Sequence, residues 1–191
     1  MDGHIEVERK RRLPDDGTTV ARMLAGLGWT PDAPVTEVDT YYSRPDVDYM
    51  ETVECLRVRR RGDFAEITYK PPTSAATHSA DDMISKKETN VLLAFDQAQQ
   101  ADQLLENIGM RRLVQVEKHR TTYRHAMHPG VSVSIDAVTG AGFFVETEVI
   151  SDAPDTAAVR VDQTEARLGV AGLPTVDLPY RDLVLEQQVA R

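Results

Sequence analysis

Residues 54–70, ECLRVRRRGDFAEITYK, carry the pattern that decides the fold. Charged and apolar side chains alternate here with the period of a β-strand, in which successive side chains point to opposite faces. The first strand has a basic face and an apolar face, formed by Arg57, Arg59 and Arg61 and by Leu56 and Val58. A tight turn at Gly62 and Asp63 then leads into a second strand, so the stretch predicts an antiparallel hairpin with one charged face.

The rest of the chain has enough strand and helix signals for one α+β domain. Strand patterns occupy residues 5–12, 36–42, 54–61, 64–70, 85–93, 112–124, 132–136 and 143–150. Helical spacing of apolar residues occupies 18–27, 95–108, 155–168 and 180–189. Strands and helices do not alternate regularly, which favours an antiparallel sheet. No repeat or linker divides the 191 residues, so a single domain over 1–191 is expected.

One segment between the predicted strands lacks any periodicity. Residues 71–82 are rich in Pro, Ser, Thr and Ala. A loop of this length often carries function in a compact domain. We therefore predict a flexible loop that can close over a ligand.

The distribution of charge over the strand faces is the main functional signal. Several strands carry charged or polar side chains on a single face: Glu6, Glu8 and Lys10; Thr68 and Lys70; Lys118 and Arg120; Glu146 and Glu148; and Asp136 with two serines. An antiparallel sheet often exposes one charged face to water, and this would account for the pattern of any one strand taken alone. Five or six such strands, basic in the middle of the chain and acidic towards both ends, instead indicate a barrel with charges inside.

A charged interior needs a ligand, because clustered charges in a partly desolvated space are unfavourable. Arginine and lysine side chains bind phosphate oxygens, and carboxylates bind Mg²⁺ or Mn²⁺. The set is therefore suited to phosphoryl chemistry, in which a protein mainly positions groups and offsets charge.

Composition narrows the class of partner. With 22 basic and 31 acidic residues, the net charge of -9 disfavours binding to nucleic acids or anionic membranes. A lone Cys55 excludes an intrachain disulfide and is interpreted as a small buried residue facing away from the arginines. No apolar stretch approaches the roughly 20 residues of a membrane helix, and no signal-peptide core is present, so we expect a cytoplasmic protein.

The same residues resemble the motifs of the CYTH superfamily of triphosphate tunnel metalloenzymes, which includes class IV adenylate cyclases, thiamine triphosphatases and inorganic tripolyphosphatases. Glu6-Val7-Glu8-Arg9-Lys10 is similar to the family's ExExK strand. In order along the chain, further matches are 39–42 (DTYY), 56–59 (LRVR), 68–71 (TYKP), 118–120 (KHR), Asp136 and 140–148 (GAGFFVETE). The resemblance covers nearly the whole chain, from Glu6 to about Tyr180.

The resemblance implies an eight-stranded antiparallel β-barrel, or tunnel, flanked by helices. It implies metal ligands at Glu6, Glu8, Glu146 and Glu148, and a catalytic set of Glu6, Glu8, Lys10 and Asp136. With the strand alternation, it implies substrate binding by Lys10, Arg57, Arg59, Arg61, Lys70, Lys87, Lys118 and Arg120. Asn90 stands where members often have a carboxylate, which leaves the number of metal ions open.

The leading hypothesis is metal-dependent hydrolysis of inorganic tripolyphosphate, thiamine triphosphate or a nucleoside triphosphate, with Mg²⁺ or Mn²⁺ as cofactor. An adenylate cyclase that converts ATP to cyclic AMP and pyrophosphate needs the same charges. A protein that binds a phosphorylated metabolite without turnover is the third alternative, although acidic residues are of no use to a pure anion binder. The expected partner is a small-molecule triphosphate or polyphosphate, with a homodimer left open.

Overall fold

The computed structural model describes residues 5–72, 84–86 and 88–189. Its strands are β1 (Ile5–Arg12), β2 (Thr30–Pro31), β3 (Val35–Ser43), β4 (Cys55–Arg61), β5 (Phe64–Lys70), β6 (Ile84–Lys86), β7 (Thr89–Ala94), β8 (Arg111–Arg124), β9 (Val131–Val138) and β10 (Gly142–Ser151). Its helices are α1 (Thr18–Gly26), α2 (Ala98–Asn107), α3 (Pro154–Leu168) and α4 (Tyr180–Val189). Most of the predicted loop over 71–82 lies outside the described residues.

The strands form one curled antiparallel sheet whose two edge strands, β6 and β7, come close together. The order is β6-β1-β10-β9-β8-β3-β4-β5-β7, and β2 pairs with β8. The edge strands β6 and β7 are separated by only two residues, so Lys86 and Thr89 are at most about 11 Å apart. Together β6 and β7 fill one place in a ring of eight, which confirms the predicted α+β fold and eight-stranded barrel.

The single strand predicted over residues 85–93 is wrong. The segment forms two short strands, of which β6 pairs with β1 and β7 pairs with β5. The break lies where the ring closes, because the two halves of the segment pair with strands on opposite sides of the junction. The short strand β2 was not predicted, since two residues cannot show a period.

The hairpin over β4 and β5 has the predicted register. Arg61 pairs with Phe64, which leaves Gly62 and Asp63 as the two turn residues. Gly62 has a φ of 55°, a left-handed conformation that glycine adopts without strain. The turn therefore keeps the alternation of β4 in register, and Arg60 is exposed while Arg59 is buried.

Helices cover the outer apolar faces of the barrel. Helices α1 and α3 pack against β1, β9 and β10, where Val7, Val133 and Val145 are buried. Helix α2 packs against β4 and β5 around Val58 and Ala65. Because strand side chains alternate, covering these faces turns the charged faces inward.

Helix α4 packs against inward-facing residues at one end of the barrel. Leu183 and Val184 belong to a cluster with Val114, Val116 and Phe144. The apolar end of the interior is thus filled by α4, and the charged part forms a separate cavity. In the part of the chain that the structure describes, no helix has the length and hydropathy that crossing a membrane requires.

Candidate active site

Charged side chains surround a cavity of about 260 Å³. Among the described residues, eight acidic side chains line it: Glu6, Glu8, Glu54, Glu66, Glu88, Glu146, Glu148 and Asp177. Eight basic side chains also line it: Lys10, Arg57, Arg59, Arg61, Lys70, Lys118, Arg120 and Arg181. Because acidic and basic side chains are equally numerous, the preference of the cavity for a ligand depends on where each kind is concentrated.

The structure brings nearly all predicted site residues to this wall. Every predicted metal ligand lines the cavity, and so does every predicted substrate-binding residue within the described ranges. Lys87 lies outside those ranges. Asp136 is completely buried behind the wall, where it contacts the wall residues Arg120 and Tyr180. The roles of these residues in binding and catalysis remain predictions.

Three carboxylates form an acidic corner, defined as Glu6, Glu8 and Glu148. Strands β1 and β10 lie side by side, and Glu8 is directly opposite Glu148 in their register. Opposed side chains on one sheet face have Cβ atoms roughly 5 Å apart, and like charges in such a pair repel. Glu6 lies two positions before Glu8 on the same face of β1, so the acidic side chains of β1 and β10 are neighbours in the barrel.

Burial and mutual repulsion change the protonation of this corner. Burial, together with the nearby Glu8, Glu148 and Glu88 carboxylates, raises the pKa of Glu6 to about 10, although Lys70 opposes the shift. Burial also raises the pKa of Glu148, and the charges of Glu146 and Glu8 add to the effect. Glu6 therefore keeps its proton at neutral pH in the metal-free protein, and a cation bound at the corner would favour its ionised form.

The donor chemistry of the acidic corner fits a hard divalent cation. Carboxylate oxygens are the ligands that Mg²⁺ and Mn²⁺ prefer. No three His, Cys, Asp or Glu side chains converge as a ready metal cluster in the described part of the chain. Mg²⁺ does not require such a cage, since it commonly binds one or two carboxylates and completes its shell with water and substrate phosphates.

On the opposite side of the cavity, buried carboxylates hold the basic residues in place. Asp39 accepts two hydrogen bonds from Arg59, from Nε at 2.6 Å and from Nη2 at 2.7 Å. This bidentate geometry is the strongest form of an arginine–carboxylate contact. Burial disfavours the Asp39 carboxylate, but Arg59 and Arg57 outweigh this and lower its pKa.

Glu37 is the common counter-ion of three cations. It is completely buried, and its oxygens lie 3.0 Å from Lys118 Nζ, 3.2 Å from Arg59 Nη2 and 3.2 Å from Arg61 Nε. Burial opposes its ionisation, but Lys118, Arg59 and Arg120 lower the pKa to about 2. Glu37 is therefore ionised at neutral pH and fixes cations that would otherwise repel one another.

Asp136 performs the same function for Arg120. Arg120 donates to Asp136 through Nε at 2.7 Å and Nη2 at 2.6 Å, and Nη2 also donates to Glu146 at 2.8 Å. Burial disfavours the Glu146 carboxylate, but Arg120, Lys118 and Lys10 lower its pKa to about 2. Glu146 is thus already engaged by a cation, unlike the crowded pair Glu8 and Glu148.

Arg57 differs from the other arginines of the wall. Its Nε is buried without a hydrogen-bond partner among the described residues, and its ion pair with Asp39 is long, at 3.9 Å. Arg57 therefore retains donor capacity for a ligand. Cys55 lies beside it on the cavity wall, so the interpretation of Cys55 as facing away from the arginines is wrong. Cys55 and Arg57 are two positions apart in β4, and strand alternation puts such residues on one face.

The two remaining predicted lysines contact different parts of the chain. Lys70 pairs with Glu88, which stands just before β7. Lys10 Nζ donates to the backbone carbonyl of Leu178 at 2.6 Å and lies 4.5 Å from the centroid of the Tyr180 ring. The segment leading into α4 thus completes the cavity wall.

Several residues of the site were assigned no role from the sequence, among them Glu37, Asp39, Glu88 and Tyr180. The alternation in β3 shows only that Glu37, Asp39 and Tyr41 share one face, and the structure shows that this face points inward. Their cationic partners could not have been read from the pattern. Tyr180 had no usable signal, since a tyrosine at a helix start is usually part of the core.

Comparison with known proteins identifies relatives of the whole barrel. The family model of the CYTH domain matches residues 4–178. A Methanocaldococcus jannaschii protein named "Putative adenylate cyclase MJ0240" is 30% identical over 144 residues, covering 75% of this chain and 76% of the relative.

Solved structures share the fold at lower identity. The PH1819 protein of Pyrococcus horikoshii is 24% identical with a TM-score of 0.79, covering 95% of this chain and 99% of that one. A Hippeastrum protein named as a putative adenylyl cyclase, and said to reveal a dominant triphosphatase activity, is 13% identical with a TM-score of 0.69, covering 96% of this chain and 95% of that one.

Proposed function

Since this chain belongs to the CYTH family, we propose that it hydrolyses a triphosphate with the help of Mg²⁺ or Mn²⁺. The observation that carries the proposal is the separation of charge on one cavity wall. Cations on β4 and β8 stand apart from an acidic corner on β1 and β10. A polyphosphate with a divalent cation has the same two-sign character, because the phosphates need cations and the metal needs carboxylates.

The basic residues would bind and orient the phosphate chain. Arg59 and Arg120 are each held by two hydrogen bonds to a buried aspartate, so their guanidinium groups are fixed before a ligand enters. The buried Nε of Arg57 has no hydrogen-bond partner among the described residues and could donate to a phosphate oxygen. Groups fixed in advance stabilise the charge that develops during phosphoryl transfer without reorganising at that moment.

The acidic corner would hold the cofactor through Glu8 and Glu148, with Glu6 beside them. A bound divalent cation neutralises phosphate oxygens and lowers the pKa of a coordinated water. Glu146, already engaged by Arg120, would link the corner to the basic side rather than act as a principal ligand. Asp136 would act through Arg120 by fixing its orientation, since it does not reach the wall.

Cyclisation of ATP is the second candidate, and the Methanocaldococcus jannaschii relative favours it by its name. The Hippeastrum relative, whose fold is shared, is described as having a dominant triphosphatase activity, which favours hydrolysis. Both reactions would use the same cations and carboxylates. They differ in the attacking oxygen, which is water in hydrolysis and the ribose 3′ hydroxyl in cyclisation.

Product analysis of the purified protein separates these activities. The protein is incubated with Mg²⁺ or Mn²⁺ and with tripolyphosphate, thiamine triphosphate, ATP or GTP, and phosphate, pyrophosphate and cyclic nucleotide are resolved. We expect metal-dependent release of phosphate from a triphosphate, abolished by excess chelator. Cyclic AMP with pyrophosphate would replace the hydrolase by the cyclase, and tight binding without any product would establish a binding protein.

A further inference from the structure

Tyr180 joins three strands of the proposed phosphate site at one point. It is the first residue of α4 and is 7% exposed. Its hydroxyl donates to Asp136 Oδ2 on β9 at 2.8 Å. The ammonium groups of Lys10 on β1 and Lys118 on β8 lie 4.5 Å and 5.2 Å from its ring centroid.

Both ammonium groups are within the range of a cation–π interaction. The face of an aromatic ring is negative, and it attracts a cation within about 6 Å more strongly when water is excluded. Two ammonium groups held close together repel each other. A shared ring attracts both, so it opposes their separation without adding a formal negative charge that would repel phosphate.

The hydroxyl group fixes where this ring lies. Its bond to Asp136 is made to the carboxylate that also binds Arg120 through two hydrogen bonds. Phe144 packs against the ring at a tilted angle, with centroids 5.0 Å apart. The ring is therefore held from its edge and from one neighbour, which leaves its π system to interact with the lysines.

We propose that Tyr180 is a positioning residue whose ring holds Lys10 and Lys118 together on the cavity wall, where a polyphosphate would bind. The inference rests on the proposed function, because it assigns these lysines to phosphate binding. It adds a contribution from α4, outside the charged strands. The ring acts on the ligand through the two lysines, and the hydroxyl acts by orienting the ring.

Two substitutions separate the ring from the hydroxyl. Tyr180→Leu removes both, and we expect affinity for Mg²⁺–tripolyphosphate to fall about threefold to thirtyfold, the range of one or two desolvated cation–π contacts. Tyr180→Phe keeps the ring and should weaken binding less. Binding is measured by titration calorimetry, and each variant's melting temperature is recorded.

Tyr42→Phe is the matched control. The Tyr42 hydroxyl donates to Asp102 Oδ1 at 2.8 Å, the same chemistry and distance, but it lies among the residues packed against α2. We expect Tyr42→Phe to lower stability and leave tripolyphosphate affinity unchanged. Wild-type affinity in folded Tyr180→Leu, or equal losses in Tyr180→Leu and Tyr180→Phe, would overturn the proposal.

A measurement on the ligand-free wild-type protein does not depend on a variant that folds. The chain contains five lysines, so ¹³C labelling at lysine Cε gives few signals, which Lys10→Arg and Lys118→Arg assign. Protons over an aromatic ring are shielded, and we expect upfield shifts for Lys10 and Lys118 alone. Ordinary shifts for both would reject the role of Tyr180, whereas a wild-type protein that binds no polyphosphate would reject the proposed function.

Discussion

The two faces of β1 bury charge in different ways. On the outer face, Glu165 of α3 accepts hydrogen bonds from Arg9 Nη1 at 2.9 Å and from Arg11 Nε and Nη2 at 2.9 and 2.7 Å. Arg9 also donates to Asp162 at 2.7 Å. Opposite charges are in direct contact, so this outer cluster, defined as Arg9, Arg11, Asp162 and Glu165, is complete without a ligand.

The inner face of the same strand has the opposite character. Glu8 faces Glu148 across the sheet, and the pKa of the neighbouring Glu6 is raised to about 10 by burial and by surrounding carboxylates. Acidic side chains lie side by side here without an oppositely charged partner between them, which leaves the acidic corner unfavourable in the absence of a cation. Burial of charge alone thus does not identify a functional site. The sign of the nearest neighbour distinguishes a structural cluster from a binding one.

The largest effect should come from breaking the outer cluster. Glu165→Gln leaves two buried arginines without their shared counter-ion, and removing one partner of a buried ionic group costs about 3–5 kcal/mol. We expect the free energy of unfolding in urea to fall by about that amount, with tripolyphosphate affinity of the folded protein unchanged. An equal loss of affinity would show that the two faces are not independent.

A substitution in the acidic corner should have the opposite pattern, with stability kept and activity lost. Glu8→Gln removes one member of a repelling pair, so stability should be kept or increased. Turnover should fall at least about hundredfold, near 2.7 kcal/mol, because a ligand of the metal is lost. Metal-dependent turnover and urea unfolding are measured together, and a variant with the wild-type rate would remove Glu8 from the metal site.

A smaller effect is expected from the basic side of the wall. Arg57→Ala should weaken tripolyphosphate binding about tenfold to a hundredfold, since a hydrogen bond to a charged group contributes roughly 1.5–3 kcal/mol. The control is Arg60→Ala, an exposed position on the same strand, which should change affinity by no more than about twofold. Calorimetric titration of both variants tests the direction of each side chain. If Arg57→Ala left affinity unchanged and Arg60→Ala lowered it, the ligand would have to bind outside the barrel.

The last effect concerns pH in metal-free buffer. The pKa of Glu6 is about 10 in the folded protein, against an ordinary 4.5, so between these values the unfolded chain is ionised while the folded one keeps its proton. The stability contributed by the protonated group is present at low pH and is lost as pH rises, by at most about 1.4 kcal/mol per pH unit. Glu6→Gln should show a shallower decline than wild type between about pH 6 and pH 9. If the free energy of unfolding in urea fell equally with pH in wild type and Glu6→Gln, the raised pKa of Glu6 would be contradicted.

Local alternation was sufficient to predict the barrel and the inward direction of its charges. In β4 the predicted directions of Arg59 and Arg60 agree with their burial, because the two-residue turn preserves the register. Cys55 obeys the same period, so alternation also places its side chain on the face of Arg57. Period-two patterns are local, so they can be recognised without knowing the tertiary structure.

The rest depends on contacts between distant segments. Whether Asp39 binds a metal or an arginine is decided by its cross-strand partner, Arg59, and the hydrogen bonds of Asp136 come from Arg120 and Tyr180. The split between β6 and β7 reflects where the ring closes, which no property of residues 84–94 alone specifies. Sequence patterns therefore identify which charged residues face inward. They do not show which of these residues would bind a ligand and which serve as counter-ions.

The neighbouring position of β1 and β10 also has a consequence for folding. Glu8 and Glu148 are about 140 residues apart in the chain, so a chain emerging from the ribosome contains no acidic corner until nearly all of it has been synthesised. Pairing segments so distant is entropically unfavourable and slow. The repulsion between their carboxylates opposes this final pairing. We therefore expect divalent cations to accelerate the closing step of refolding, so that the proposed cofactor would also help to build its own site.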